Sequence, residues 1–186
     1  MEREFNLVVV GAPFVGKTSF ITKFATKCED SLEYAPVYTC KFRTINGDIA
    51  FRIYEGNSMG DIYGDHTMKD GVHALIIMAS NDEPRSFSSA HREMEQMWMQ
   101  FGIVPTVMVV NKCDLTNNNL TVPLDFMYDF FADSEAFKVP ILGTEIENAD
   151  KRMILVHLID CLIGNPNQSV FWREIELVHD LEESQN

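Results

Sequence analysis

The chain has 186 residues, 46% of them hydrophobic, and a formal charge of −13 at pH 7. That length and apolar content suit one domain with a proper core and leave little room for a second. The negative balance argues against nucleic acid as a direct partner, because phosphate backbones are held by clustered Lys and Arg, and it favours basic protein partners.

Four cysteines, Cys28, Cys40, Cys113 and Cys161, lack C-x-x-C spacing, and the five histidines form no ligand pair. Reduced thiols in an intracellular protein, with no metal framework, are expected. Met-Glu-Arg-Glu at the start has no signal-peptide character and no glycine for myristoylation, and Glu-Ser-Gln-Asn at the end has no prenylatable cysteine. No apolar run approaches the ~20 residues of a membrane span. The expectation is a monomer with no membrane anchor.

In chain order, the apolar run Phe5 to Val10 reads as a strand leading into Gly11-Ala12-Pro13-Phe14-Val15-Gly16-Lys17-Thr18. This matches G-x-x-x-x-G-K-[ST], a phosphate-binding loop. Its glycines let successive N–H groups curl around a phosphate, its lysine reaches the outer phosphates and its hydroxyl holds Mg²⁺. Pro13 has no N–H for that cradle, and Phe14 crowds a place where small residues fit more easily. Ser19 to Lys27 is then expected as the helix facing the phosphates.

Val37 to Thr44 and Asp48 to Tyr54 read as two strands joined through the hairpin signal Asn46-Gly47. Glu55 to Gly71, with four glycines and little periodicity, reads as a loop. Ala74 to Ala79 is continuous in apolar residues, as a buried parallel strand requires. Arg85 to Phe101 is expected as a helix with Phe87, Met94, Trp98 and Phe101 on one face, its methionines filling core.

Thr106 to Val110 is another buried strand, delivering Asn111-Lys112-Cys113-Asp114 at its C-terminal end. Asn117 to Asn119 reads as loop, Leu124 to Ala132 as helix and Val139 to Leu142 as a short strand. Asp150 to Ile163 is expected as a helix with Ile154, Leu158 and Leu162 on its apolar face and His157 packed. It is stopped by Gly164-Asn165-Pro166. Ser169 to Glu183 has apolar residues at helical spacing and ends acidic. Strands alternating with helices after a phosphate loop predict an α/β fold. Its sheet would be doubly wound, mostly parallel and six-stranded, with one antiparallel strand.

With Asn-Lys-x-Asp at the end of a buried strand after the phosphate loop, the chain resembles a small GTPase of the Ras superfamily. A carboxylate at Asp114 can accept two hydrogen bonds from the guanine N1–H and 2-amino group. The resemblance lays Lys112 along the base and has Asn111 tie its loop to the phosphate loop. GTP or GDP and Mg²⁺ are the ligands it implies.

Within the superfamily the chain is most similar to the Ran family of nuclear transport GTPases. The similarity lies in the hairpin Phe42 to Phe51, in Leu162-Ile163-Gly164-Asn165-Pro166-Asn167 and in His179-Asp180-Leu181-Glu182. It implies a guanine-nucleotide-binding domain over residues 1–167 and an acidic helical extension over residues 168–186. It also implies a nuclear and cytoplasmic location, importin-β-type transport receptors and a Ran exchange factor as partners.

The departures fall on the switches. Where that family has Trp-Asp-Thr-Ala-Gly-Gln, this chain has Tyr54-Glu55-Gly56-Asn57-Ser58-Met59. Glu55 keeps a carboxylate for the Mg²⁺ region, Ser58 replaces the glycine that meets the γ-phosphate, and Met59 replaces the water-orienting glutamine. In the first switch, Tyr34-Ala35-Pro36-Val37 puts Val37 where a threonine coordinates Mg²⁺. The Ser-Ala-Lys loop that contacts guanine maps onto Thr144-Glu145-Ile146. Ran's basic stretch after Asn-Lys-x-Asp is here Asp125 to Ala136, acidic and aromatic. No intact catalytic residue is expected. Two readings follow: a Ran-like switch with weakened hydrolysis, and a pseudo-GTPase that occupies Ran's partners without switching. A P-loop kinase of small metabolites would need an arginine-bearing lid and would leave Asn-Lys-x-Asp without a role.

Overall fold

The computed structural model describes residues 3–29, 36–44, 47–65, 71–112, 141–144, 151–163 and 176–177. At its centre lies β1 (Arg3–Gly11), whose run Leu7, Val8, Val9 and Val10 is wholly shielded from water. A strand buried on both faces must be flanked and covered. β1 pairs in parallel with β4 (Gly47–Gly56) on one side and β5 (Ala74–Ser80) on the other. The sheet continues from β5 through β6 (Thr106–Asn111) to β7 (Ile141–Thr144), all parallel. At the other end β3 (Val37–Thr44) joins β4 antiparallel. The six principal strands therefore run β3-β4-β1-β5-β6-β7, the expected doubly wound α/β sheet with one antiparallel strand.

Alternation along each strand sends side chains to two separate cores. Leu7, Val9, Ile76, Met78, Val107 and Val109 face a cluster that includes Phe20 and Ile21 of α1 (Lys17–Ile21). Ile154, Leu155, Leu158 and Ile159 of α4 (Lys151–Ile163) belong to the same cluster. Val8, Val10, Leu75, Ile77, Met108 and Val110 face the opposite cluster. There Ile62 of α2 (Met59–Asp65) packs with Phe87, Ala90, Met94 and Met97 of α3 (Arg85–Phe101). Each large apolar side chain so buried contributes about 1.5–3 kcal/mol. Trp98 and Phe101 flank this core, half-buried, while Met99 of the same helix is exposed. Cys40 lies in the first core, and burial pushes its thiol up to about 12, which leaves it an unreactive core residue.

Four expectations need correction. The helix after the phosphate loop ends at Ile21, because Lys23 and Phe24 donate to carbonyls only three residues back and tighten the last turn. Thr26 and Lys27 then form β2 (Thr26–Lys27), antiparallel to Thr39 and Tyr38 of β3. The second strand of the hairpin begins one residue early: Gly47 belongs to β4 and pairs with Thr44.

The segment read as a loop carries the helix α2, which is nucleated by a reciprocal cap. The Asp61 N–H donates to Ser58 Oγ at 3.3 Å, and the Asp61 carboxylate accepts the Ser58 N–H at 3.1 Å and the Asn57 N–H at 2.9 Å. In the region read as a C-terminal helix, Glu176 and Leu177 instead form β8 (Glu176–Leu177), antiparallel to Arg43 and Phe42. The rest of that region, and the helix expected at Leu124 to Ala132, lie outside the described residues.

Candidate functional site

β1 is the strand at which the winding reverses, since α1 packs on one face of the sheet and α3, after β5, on the other. Ligands in such sheets bind outside the carboxyl ends of the strands at this point. The phosphate-loop motif starts there. Gly11, its first residue, lies so close to β5 that a Cβ would stand 2.2 Å from the Met78 carbonyl oxygen. Gly16 has φ 96°, and a Cβ on it would lie 2.2 Å from Asn111 Nδ2. Both glycines are therefore required by contact, and Gly16 by its backbone as well.

Phe14 does not crowd the loop. Its side chain is 92% exposed, and what it brings is a left-handed backbone, φ 66°, uncommon for a bulky residue. Val15 is buried against the sheet. The loop is fixed from across the sheet by Asn111, whose Nδ2 donates to the Val15 carbonyl at 2.8 Å across 96 residues of sequence.

Lys17 is 5% exposed, and its Nζ donates to the carbonyls of Gly11 and Ala12 and to Asn57 Oδ1, each at 2.9 Å. All three acceptors are neutral. Burial lowers its pKa, countered in part by the carboxylates of Glu55 and Asp61. A buried ammonium held, among the described residues, by neutral oxygens is a seat for an anion, and the curled loop beside it fits a phosphate.

Beside it, Thr18 Oγ1 donates to Glu55 Oε1 at 2.6 Å, and the Tyr38 hydroxyl donates to Glu55 Oε2 at 2.9 Å. Burial, and then the bond to Glu55, push the Tyr38 phenol well above its ordinary pKa. The threonine hydroxyl and glutamate carboxylate are hard oxygen donors of the type Mg²⁺ takes.

The second-switch residues divide between backbone and core. Ser58 and Asn57 have their N–H groups on Asp61. The Met59 N–H donates to Glu93 Oε2 at 3.0 Å, and its side chain packs, partly buried, on the α2 and α3 side of the sheet. Val37 lies in β3, 3% exposed, in the same core, and offers no ligand atom.

At the base end of the site, Lys112 has φ 58°, and its Nζ is paired with Asp82 Oδ2 at 2.9 Å. Asp82 also accepts from the Ser80 hydroxyl. Burial pushes the Asp82 carboxyl up, but the Ser80 hydroxyl and Lys112 outweigh it and hold it below its ordinary value. The Asn81 N–H donates to the Asn111 carbonyl at 2.9 Å, joining the ends of β5 and β6. Thr144 ends β7 opposite Asn111. Asp114, Glu145, Ile146 and Tyr34 lie outside the described residues.

Five residues with a part in this site escape a motif search: Tyr38, Asn57, Asp61, Asp82 and Glu93. Two left a signal. Ser58-x-x-Asp61 is a capping box in sequence, and Glu93 sits on the same helical face as Ala90, Met94 and Met97, where a carboxylate must find a partner.

The Ras family model matches residues 6–125, more than half of the chain. The chain belongs to the Ras family. It is a small GTP-binding protein with a P-loop, and guanine nucleotide, with Mg²⁺ as its usual companion, comes with the family. Among curated proteins none matches the chain.

Proposed function

We propose that this Ras-family protein holds guanine nucleotide through Lys17, Thr18 and the loop Gly11 to Thr18, hydrolyses GTP more slowly than an intact Ras-like enzyme, and acts in nucleocytoplasmic transport. Phosphoryl transfer in this fold rests on positioning a water and stabilising charge. The observation that carries slow hydrolysis is Met59. Its thioether cannot orient a water through strong hydrogen bonds, its side chain is packed toward the core, and its N–H is committed to Glu93. Thr18 and Glu55 would hold Mg²⁺, which neutralises charge on the phosphates when bound. Asn111, Lys112 and Asp114, with Thr144, Glu145 and Ile146, are proposed for the guanine.

The transport role rests on the Ran-like hairpin Phe42 to Phe51 and the Leu162 to Asn167 segment. It implies importin-β-type receptors and a Ran exchange factor as partners, in nucleus and cytoplasm. The pseudo-GTPase reading is favoured by one observation, the Asp61 carboxylate on the Ser58 N–H.

Single-turnover GTP hydrolysis at saturating protein tests the chemistry. The expected rate is below the roughly 10⁻⁴ per second of Ras-like proteins. A rate at or above that value would mean that another residue positions the water. A pull-down that enriches no transport receptor in either nucleotide state would remove the transport role.

A further inference from the structure

The motif's lysine is the residue that reaches the outermost phosphates, so whatever touches Lys17 Nζ marks the distal end of the phosphate site. From outside the loop that contact is Asn57 Oδ1 at 2.9 Å; the other two acceptors, the Gly11 and Ala12 carbonyls, belong to the loop itself. The N–H groups of Asn57 and of Ser58 beside it are both held by one carboxylate oxygen of Asp61, at 2.9 and 3.1 Å. The Asp61 charge is felt at the Lys17 ammonium. Segment 57–61 therefore brings its own anion to the end of the site where a third phosphate would have to enter.

We propose that Asp61 is a specificity-determining residue: its carboxylate takes the backbone donors beside Lys17 and sets the site to accept a guanosine diphosphate in preference to the triphosphate. This rests on the guanine-nucleotide reading above. A diphosphate ends short of segment 57–61 and leaves its bonds intact. A triphosphate must either displace the carboxylate from two N–H groups and Asn57 from Lys17, or lie against an uncompensated negative charge. Asp61 is exposed, so solvent damps that repulsion and the displaced hydrogen bonds carry most of the cost. The Glu93 bond to the Met59 N–H holds the same segment from its other side, so it cannot swing away without a further loss.

The test is isothermal titration of the nucleotide-free full chain with GDP and with a non-hydrolysable GTP analogue, each with Mg²⁺. It is run on the parent, Asp61→Asn and Asp61→Glu. The parent is expected to bind GDP at least tenfold more tightly. Asp61→Asn, which removes the charge and keeps the shape, is expected to narrow that ratio about tenfold. Asp61→Glu, the usual capping-box residue, is expected to keep the preference.

Because each ratio is taken within one protein, a general loss of stability cancels. Equal affinities in the parent overturn the proposal without need of any variant, and so does an Asp61→Asn ratio within twofold of the parent's. A parent that binds neither nucleotide overturns the guanine-nucleotide reading, whereas GDP binding with no role for Asp61 overturns this inference alone.

Discussion

Replacing Asn111 tests whether the site is held together from across the sheet. Its Nδ2 bond to the Val15 carbonyl spans 2.8 Å between two buried groups, with Asn111 only 1% exposed. Asn111→Ala leaves that carbonyl without its side-chain donor, and an unsatisfied buried group costs about 1–3 kcal/mol. Asn111→Asp keeps the shape but sets a carboxylate oxygen against a carbonyl oxygen. The side chain must then either stay charged against that oxygen, at about 3–5 kcal/mol, or take up a proton. At ~2–4 °C per kcal/mol for a chain of this size, Asn111→Ala should lower Tm by about 2–12 °C, with Asn111→Asp falling further. The Asn111→Asp deficit should shrink as the pH drops through the carboxyl range, because a protonated side chain can donate again. Differential scanning fluorimetry of the nucleotide-free chain at pH 7.5 and pH 5 reads both effects. An Asn111→Ala Tm within ~1 °C of the parent, or an Asn111→Asp variant milder than Asn111→Ala, would refute the reasoning.

The Asp82–Lys112 pair gives a pH dependence of known sign. The folded carboxyl sits below its ordinary 3.8, so the folded state binds that proton less tightly than the unfolded one. Its contribution is present above 3.8 and disappears as pH falls through the lower folded value. Asp82 is 37% exposed, which limits the effect to under about 1 kcal/mol. Urea unfolding of Asp82→Asn should therefore show a small deficit at pH 7 that closes as the pH falls below 3.8, and a deficit that stays constant would count against the pair. Phe14→Gly should stabilise the chain by up to about 1 kcal/mol: the αL backbone costs a non-glycine residue about 1–2 kcal/mol, glycine's lost freedom returns about half, and a side chain 92% exposed has no packing to lose. A destabilised Phe14→Gly would show that the ring makes a contact worth more than its backbone costs.

The sheet could be read from the sequence because its strands are apolar without interruption. Leu7 to Val10, Ala74 to Ala79 and Thr106 to Val110 have no polar face to confuse their period, and α3 falls at the predicted ends. What escaped was short. β2 and β8 are two-residue strands without periodicity, formed because β3 offers an unpaired edge. α2 has seven residues, too few for a hydrophobic repeat, and only its Ser58-Asp61 cap betrays it. The site divides in the same way. The phosphate loop is a local pattern and was legible, as was the tie from Asn111. Tyr38 and Asn57 act through contacts across 17 and 40 residues of sequence, and no local pattern announces such a partner.

These long-range contacts bear on whether a Ras-like fold can switch. A ligand moves a two-state equilibrium only by the difference in its affinity for the two states, and a complete reversal needs about 5.5 kcal/mol. A γ-phosphate ordinarily supplies that difference by giving idle backbone donors in the second switch an acceptor. Here the donors at Asn57 and Ser58 are already on Asp61, the one at Met59 is on Glu93, and the Lys17 amine is on Asn57. A phosphate entering would exchange one set of charge-assisted bonds for another, each about 1.5–3 kcal/mol on both sides of the exchange. The γ-phosphate then gains nothing from the exchange, and the carboxylate it displaces is left as a cost. On the proposed function, hydrolysis and switching weaken through neighbouring residues for different reasons: Met59 cannot hold the water, and Asp61 leaves the phosphate nothing to order.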